Sequence, residues 1–413
     1  MINWLRIGIG VKRWLVGLTI GSLLFGMGVT LICLWFLNTE AVYALLFDVD
    51  SPWFWVISIL LVVLGALLSL YALSRIVDVV TAPFSREGED LATEILHYQA
   101  RHRGPKIVAI GGGTGLSNLL RGLTLYTNNI TAIVTVADDG GSSGRLRREF
   151  GMLPPGDFRN NIAALSRDEA LMAQLLQYRF GGSGRENSLS GHAFGNLLIT
   201  ALVGLTGSFE DALLATRKVL SLRGQVIPST LTPINLIADV QIDGKLKKIE
   251  GESKIGDSHG IIYKIDVVPS DARGYPASIK SILSADLVIL GPGSLFTSII
   301  PNLLVKDIAK AVESTKGKVV YVCNVASQSG ETESYTLSDH VTQLSKYLDA
   351  NQIDFVLANN NIQDGKDQYG NLAIRVDQIE FDRIKLVQRD VIDTAKPWRH
   401  DAAKLARALV QLL

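Results

Sequence analysis

Cysteine, histidine and net charge are all scarce in this chain. Two cysteines in 413 residues, Cys33 inside a long apolar run and Cys323 in a predicted core strand, supply neither a disulfide framework nor a thiolate metal set. Lys and Arg total 40 and Asp and Glu total 40, so there is no electrostatic footprint for nucleic acid and none is expected as a partner. Neither common phosphate-binding signature is complete. No G-K-[ST] P-loop is present, and the pattern G-x-G-x-x-G begun by Gly111 and Gly113 fails at Leu116.

The first hundred residues lack charge where it matters. Trp14 to Leu37 gives 24 residues and Trp53 to Ser74 gives 22 with no formal charge, each long enough for a hydrocarbon core of about 30 Å at 1.5 Å per residue. The first run is too long for a secretory signal, and the second argues against cleavage. Trp14, Trp35, Trp53 and Trp55 stand near the ends, as aromatic belts do. The connecting loop carries Glu40, Asp48 and Asp50 but no Lys or Arg, whereas Arg6, Lys12, Arg13, Arg75 and Arg86 flank the pair. Positive-inside then places both termini in the cytoplasm of a two-pass cell-membrane protein. The expected organisation is a hairpin over residues 1–80, a charged juxtamembrane linker over 81–104 and one domain over 105–413.

Beyond the linker, short continuous apolar runs alternate with amphipathic segments, as a Rossmann-like doubly wound α/β sheet requires. Candidate strands are Ile107–Ile110, Thr131–Val136, Leu287–Leu290, Val319–Val322 and Phe355–Ala358. Residues 225–268 break this rhythm with alternating segments and an Asp243-Gly244 turn, predicting an antiparallel insertion beside a mostly parallel sheet. Ser208 with Asp211 predicts the start of the helix before it.

Glycine is abundant where the strands end. The run KIVAIGGGTGLSNLL over residues 106–120 empties a buried strand into Gly112, Gly113, Thr114 and Gly115 and at once into a helix, the shape of a phosphate cradle. After the next strand come Asp138, Asp139, Ser142, Ser143 and Arg145. Their carboxylates, hydroxyls and guanidinium suit ribose, phosphate or Mg²⁺, with Asp138 and Asp139 the candidate metal ligands. Gly293 and Ser294 follow another strand and offer a second cradle, although a plain strand-to-helix turn explains the glycine equally. Asp157 reads as a natural N-cap, but capping leaves Asn160 and Asn161 unexplained, and these are pocket candidates. His192 suits a base, a phosphate donor or a helix-entry hydrogen bond. Asn196 suits base or ribose recognition, and Asn324 is a strand-end candidate. Tyr369 suits stacking and Arg399 a bidentate phosphate contact.

The stretch TVADDGGSSGRLRREFGMLPPGDFRNNIAAL, with GHAFGNLL, LVILGPGSLFTSIIPNLLV, VYVCNVASQSGETESYTLSDHV and RHDAAKLA, resembles the 2-phospho-L-lactate transferase superfamily. Within it, the DDGGSSGRLR and PPGDFRN wording is similar to the bacterial gluconeogenesis factors. That resemblance implies a regulator that binds UDP-N-acetylglucosamine or a related UDP-sugar and adjusts envelope synthesis and cell shape during gluconeogenic growth, through a protein partner. The transferase branch implies instead a Mg²⁺-dependent phospho-transfer across a nucleotide diphosphate. A third reading, an NAD-dependent oxidoreductase with Asp138 as the ribose acid, comes last because the glycine fingerprint mismatches.

Overall fold

The computed structural model describes residues 12–37, 52–81, 101, 104–166, 169–181, 188–362, 372–379, 381 and 383–413. The chain divides into two compact units, Met1–Tyr98 and Gln99–Leu413. Most of the expected juxtamembrane linker lies outside the described residues.

The first unit holds two helices, Lys12–Leu37 of 26 residues and Pro52–Thr81 of 30. Their length and hydropathy suffice to cross a membrane, so the unit fits membrane association. Small residues let the two backbones approach: a Cβ on Gly65 would lie 2.7 Å from the Gly21 carbonyl, and one on Gly28 would lie 2.9 Å from that of Ser58. Edge-on pairs of Trp14 with Tyr71 and of Trp35 with Trp55 join opposite ends, which makes the hairpin antiparallel. Leu23, Phe36 and Leu67 point outward from it, as lipid-facing side chains should.

In the second unit, seven strands form one sheet in the order β10-β9-β8-β7-β1-β2-β3. They are β1 (Ile107–Gly111), β2 (Ile130–Val134), β3 (Gln225–Pro228), β7 (Leu287–Leu290), β8 (Lys318–Val322), β9 (Phe355–Asn359) and β10 (Lys385–Arg389). Every pairing is parallel. The central strands are buried along their whole length, so their apolar runs are continuous rather than alternating. Strands form at all five candidate positions, although the Thr131–Val136 candidate is Ile130–Val134, with Thr135 and Val136 beyond its end, and Val319–Val322 begins at Lys318.

The expected insertion over 225–268 needs correction at its start. Gln225–Pro228 is β3, the edge strand of the main sheet, because its apolar residues are covered on both faces. The antiparallel sheet is confined to β4 (Asn235–Ile242), β5 (Lys245–Glu250) and β6 (Ile261–Val268), in the order β5-β4-β6. In β4, Leu236, Ala238 and Val240 are buried and their neighbours are not, the period of a half-buried strand. Asp243 (φ 51°) and Gly244 (φ 75°) are both left-handed, as a two-residue primed hairpin turn demands. Ser208 caps the helix Phe209–Val219 by accepting the Asp211 N–H. A further hairpin, β11 (Ile392–Asp393) with β12 (Lys396–His400), precedes the closing helix Ala402–Val410.

That closing helix lies against Gly113–Leu123, and Gly122 permits the approach. A Cβ there would collide with the Ala402 carbonyl oxygen and stand 2.8 Å from the Ala406 Cβ. Gly122→Ala is therefore expected to destabilise the second unit by about 1–3 kcal/mol through overpacking. Calorimetric melting of the variant checks this, and an unchanged melting point would contradict the packing described.

Candidate functional site

The strand order reverses at β1. From it the chain runs outward one way through β2 and β3, and the other half of the sheet begins at the adjacent β7. Open parallel sheets bind ligands at such a reversal, outside the carboxyl ends of the strands. Both loops that flank it are glycine-rich. After β1, Gly112 caps the helix Gly113–Leu123, Gly113 takes φ 63°, and Thr114 is exposed in the first turn. After β7 come Gly291 to Ser294. The loops touch: a Cβ on Gly115 would lie 2.7 Å from the Pro292 carbonyl oxygen.

The second loop is held from within. Asn324 accepts the Gly293 N–H at 3.3 Å and donates to its carbonyl at 2.9 Å, so this candidate ligand residue fixes the loop. Ser294 Oγ accepts the Thr297 N–H at 3.0 Å and donates to buried Glu331. Glu331 also lies 3.2 Å from Thr297 Oγ1 and accepts from Gln328 Nε2 at 3.0 Å. A protein carboxylate thus stands where the sequence suggested that Ser294 would meet a ligand anion.

Carboxylates also crowd the first loop. Asp157 is not an N-cap. The N-cap of the helix Gly156–Leu165 is Pro155, two residues before Asp157, and the Asp157 side chain turns back to accept the Gly113 N–H. A Cβ on Gly112 would lie 2.6 Å from its Oδ2. Loss of water, and then Asp138, push the Asp157 carboxyl up to about 6. Asp138 is raised too, by burial first, although Gly140 N–H at 3.0 Å and the Ser143 hydroxyl favour its charged form. Asp139 faces the antiparallel sheet, where it accepts Ser253 N–H at 3.0 Å and Ser253 Oγ–H at 2.7 Å. Next to Ser253, Glu252 is driven up to about 8, first by burial and then by Asp138, Asp157, Asp139 and Glu331.

On the other side of Ser142 the site is neutral to basic. Ser142 Oγ is 3.0 Å from His192 Nδ1 and accepts from Asn196 Nδ2 at 3.0 Å. The hydroxyl, with one donor and two acceptor sites, serves both partners at once. Burial and then Arg145 lower the pKa of His192. Asn196 Oδ1 accepts from Arg159 Nη1 at 3.3 Å, and Asn160 Oδ1 accepts from Arg159 Nη2 at 3.0 Å and Gln177 Nε2 at 2.7 Å. Arg145 donates to the Ser190 carbonyl at 3.0 Å. Asn161 is fully buried and donates to the Asp157 carbonyl at 2.8 Å, so its amide braces the helix. Arg159 feels Asp157 and Asp138, which joins this network to the acidic wall.

Contacts thus link Gly112 with Asp157, Gly115 with the Gly293 loop, and Ser142 with His192 and Asn196, and through Arg159 with Asn160, beyond the carboxyl ends of β1, β2 and β7. Arg399 is exposed on β12 and makes no hydrogen bond or ion pair among the described residues. Tyr369 lies outside the described residues. Among these residues no three His, Cys, Asp or Glu side chains are arranged to hold a metal ion. Sequence reasoning did not select Arg159, Glu252 and Glu331, or give Asp157 its role. Arg159 and Asp157 stood inside the PPGDFRN motif and Glu331 inside a hydroxyl-rich loop, but nothing local marks Glu252.

Crowding of Glu252 has a measurable sign. Its carboxyl titrates near the ordinary 4.5 when unfolded and near 8 when folded, so the unfolded chain releases that proton first as pH rises. The native state is penalised progressively between those values and fully above the higher one. Glu252→Gln is expected to raise the melting point most at about pH 9, with the gain fading toward about pH 4.5. An equal gain at both ends in a pH series of melts would show the carboxyl to be uncrowded.

Comparison with known proteins places this geometry. The family model for 2-phospho-L-lactate transferase CofD matches residues 107–405. A Nostoc sp. relative is 49% identical over 348 residues, covering 82% of this chain and 74% of that protein. The gluconeogenesis factor of Bacillus subtilis is 45% identical over 317 residues, covering 75% of this chain and 98% of the relative. An X-ray structure of a Bacillus halodurans protein matches with TM-score 0.69 and 38% identity, covering 75% of this chain and 100% of that one. The matched span contains both glycine loops, the acidic wall and the Ser142–His192 network, and the chain belongs to the 2-phospho-L-lactate transferase CofD family.

Proposed function

We propose that this protein is a membrane-tethered regulator whose crevice binds a UDP-sugar, with UDP-N-acetylglucosamine the expected ligand. Binding adjusts envelope synthesis and cell shape during growth on gluconeogenic carbon, through a protein partner. The observation that carries this reading is the pairing of two glycine loops at the β1/β7 reversal with a buried Ser142–His192–Asn196–Arg159 network beside them. Backbone N–H groups and Arg159 suit a diphosphate, while Asn196, Asn160 and the carboxylates suit the hydroxyls and amides of ribose, base and sugar.

Relatives named gluconeogenesis factor support the physiological side, and the positively charged flanks of the hairpin support a cytoplasmic domain facing the nucleotide pool. The family's transferase name supports a second reading, phospho-transfer from a nucleotide diphosphate. That chemistry calls on a divalent cation, and the side chains present would supply at most one or two carboxylates toward it, the remainder coming from phosphates and water.

Calorimetric titration of the full chain in lipid nanodiscs, with UDP-N-acetylglucosamine, GDP and NAD each with and without Mg²⁺, separates these readings. UDP-N-acetylglucosamine is expected to bind, to be recovered unchanged, and to stabilise the protein by about 2.7 kcal/mol at a hundredfold excess over Kd. Asn196→Ala is expected to weaken that binding by roughly 1–3 kcal/mol, because it unties Ser142 and leaves Arg159 short of a partner. Binding of GDP alone, dependent on Mg²⁺, would sink the regulator reading.

A further inference from the structure

Three hydroxyls follow the second glycine loop, and two of them are engaged inside the protein. Ser294 donates to Glu331, and Thr297 Oγ1 lies 2.7 Å from Ser294 Oγ and 3.2 Å from Glu331. Ser298 is different. It is only 9% exposed, yet its hydroxyl makes no hydrogen bond among the described residues. Its backbone is fully used, the N–H by the Ser294 carbonyl at 3.0 Å and the carbonyl by the Asn302 amide at 2.7 Å.

The local backbone sets where that hydroxyl stands. Pro301 has no N–H for the Thr297 carbonyl, and its ring crowds that carbonyl. The turn Leu295–Ile299 is accordingly π-helical, with the Ile299 N–H reaching the Ser294 carbonyl at 3.0 Å, a widening that recurs at functional sites. Asn302, fully buried, also donates at 3.2 Å to the Gly111 carbonyl at the end of β1, which fixes the turn against the first loop. Ser298 therefore stands between the two loops: a Cβ on Gly293 would lie 3.9 Å from its Oγ, and so would one on Gly113. At Gly113, adjoining backbone aside, no other described atom comes within 4 Å, so the space beside the hydroxyl is open. The helix Gly113–Leu123 begins there, and its first-turn N–H groups have no partner within the helix.

Resting on the UDP-sugar reading for the identity of the ligand, we propose that Ser298 is the side-chain donor to a phosphate of the nucleotide diphosphate, seated between the Gly113 and Gly293 loops. A phosphate oxygen there accepts from the hydroxyl in a charge-assisted hydrogen bond, and the helix start favours its negative charge. Asp157 already takes the Gly113 N–H, which leaves those of Thr114 and Gly115 for the phosphate. Asp157 Oδ2 faces the Gly112 position, at 2.6 Å from a Cβ there, and is not within 4 Å of the Gly113 one. Arg159, by contrast, is already tied to Asn196 and Asn160. A short side chain is required in this place, because Ser298 Cβ stands 3.4 Å from the Cβ positions of both Gly112 and Gly293.

The test measures binding of UDP-N-acetylglucosamine and of UDP to the full chain in lipid nanodiscs, with EDTA present, for the parent, Ser298→Ala and Ser298→Asp. Ser298→Ala is expected to weaken both ligands about tenfold, the loss of one hydrogen bond to a charged group, without moving the melting point of the unliganded protein. Ser298→Asp is expected to weaken both by roughly a hundredfold or more, because it sets a carboxylate against the phosphate. A Ser298→Ala variant that binds like the parent would overturn this inference and leave the proposed function standing. A loss of affinity matched by a lower unliganded melting point would show a structural role and overturn it too. So would a Ser298→Asp variant that keeps or gains affinity, since a carboxylate in that place suits a ligand hydroxyl and not a phosphate. Should Ser298→Asp itself melt lower without ligand, Ser298→Ala alone decides. A parent that binds neither uridine nucleotide removes the proposed function, and the same variants then judge the phosphate seat on GDP, where absence of binding removes the seat as well.

Discussion

Close backbone contact between the loops after β1 and β7 is the constraint around which the carboxyl end of the sheet is built. Gly115 meets the Pro292 carbonyl, and the space a Gly112 side chain would fill is taken by Asp157 and Thr135. Parallel neighbours must be joined by long crossovers, so two adjacent strands that lead away in opposite directions leave a gap that no connection covers. Glycine lets the two loops line that gap with backbone groups rather than side chains. Side chains at these glycines would collide with the facing loop, as at Gly115, or with Asp157, as at Gly112.

That economy creates an electrostatic problem, and the fold answers it unevenly. Helix starts carry unpaired N–H groups and partial positive charge. In this protein Asp157 takes the N–H of Gly113, and Glu331 takes the hydroxyl of the capping Ser294. Burial raises both carboxyls while these donors lower them, and Asp138 adds repulsion at Asp157; burial, then nearby carboxylates, push Glu252 up to about 8. The basic partners are pulled aside instead: Arg145 toward the Ser190 carbonyl and Arg159 toward Asn196 and Asn160. Acidic side chains therefore gather beside the β1 and β7 loops, and a hydrogen-bonded network with a guanidinium lies next to them.

Much of the fold was legible because local chemistry and final environment agree. Continuous apolar runs such as Ile107–Ile110 read as strands covered on both faces, and the Asp243-Gly244 pair announced its hairpin. Edges were harder. Gln225–Pro228 was absorbed into the predicted insertion, and Lys385–Arg389, with charged residues at both ends, carries no buried-strand signal although it is β10. For the site, residue type was readable and direction was not. Asp138, Ser142, His192 and Asn196 stood out by density around glycine and meet in space. Asp139, Asn324 and Ser294 have the same chemistry, but their partners are Ser253, Gly293 and Glu331, which distant segments supply. No local pattern tells a carboxylate that greets a ligand from one that ties down a loop.

The hydrogen bonds that hold Asp139 join the main sheet to the antiparallel one. Its Oδ1 holds the start of the helix Glu252–Gly256, which hangs between β5 and β6. Gly251 is needed beside it, since a Cβ there would collide with Asp139 Oδ2, and Gly330 abuts the Gly256 carbonyl at the helix's other end. The loop bearing Gly330 also bears Glu331. Glu252 is thus held between the loop after β2 and the loop that fixes Ser294, with the antiparallel sheet behind it. The outer strand of that sheet, β5, is exposed at nearly every residue. The loop after β2, the antiparallel sheet and the loop that fixes Ser294 are thus joined by close backbone contacts and two hydrogen bonds.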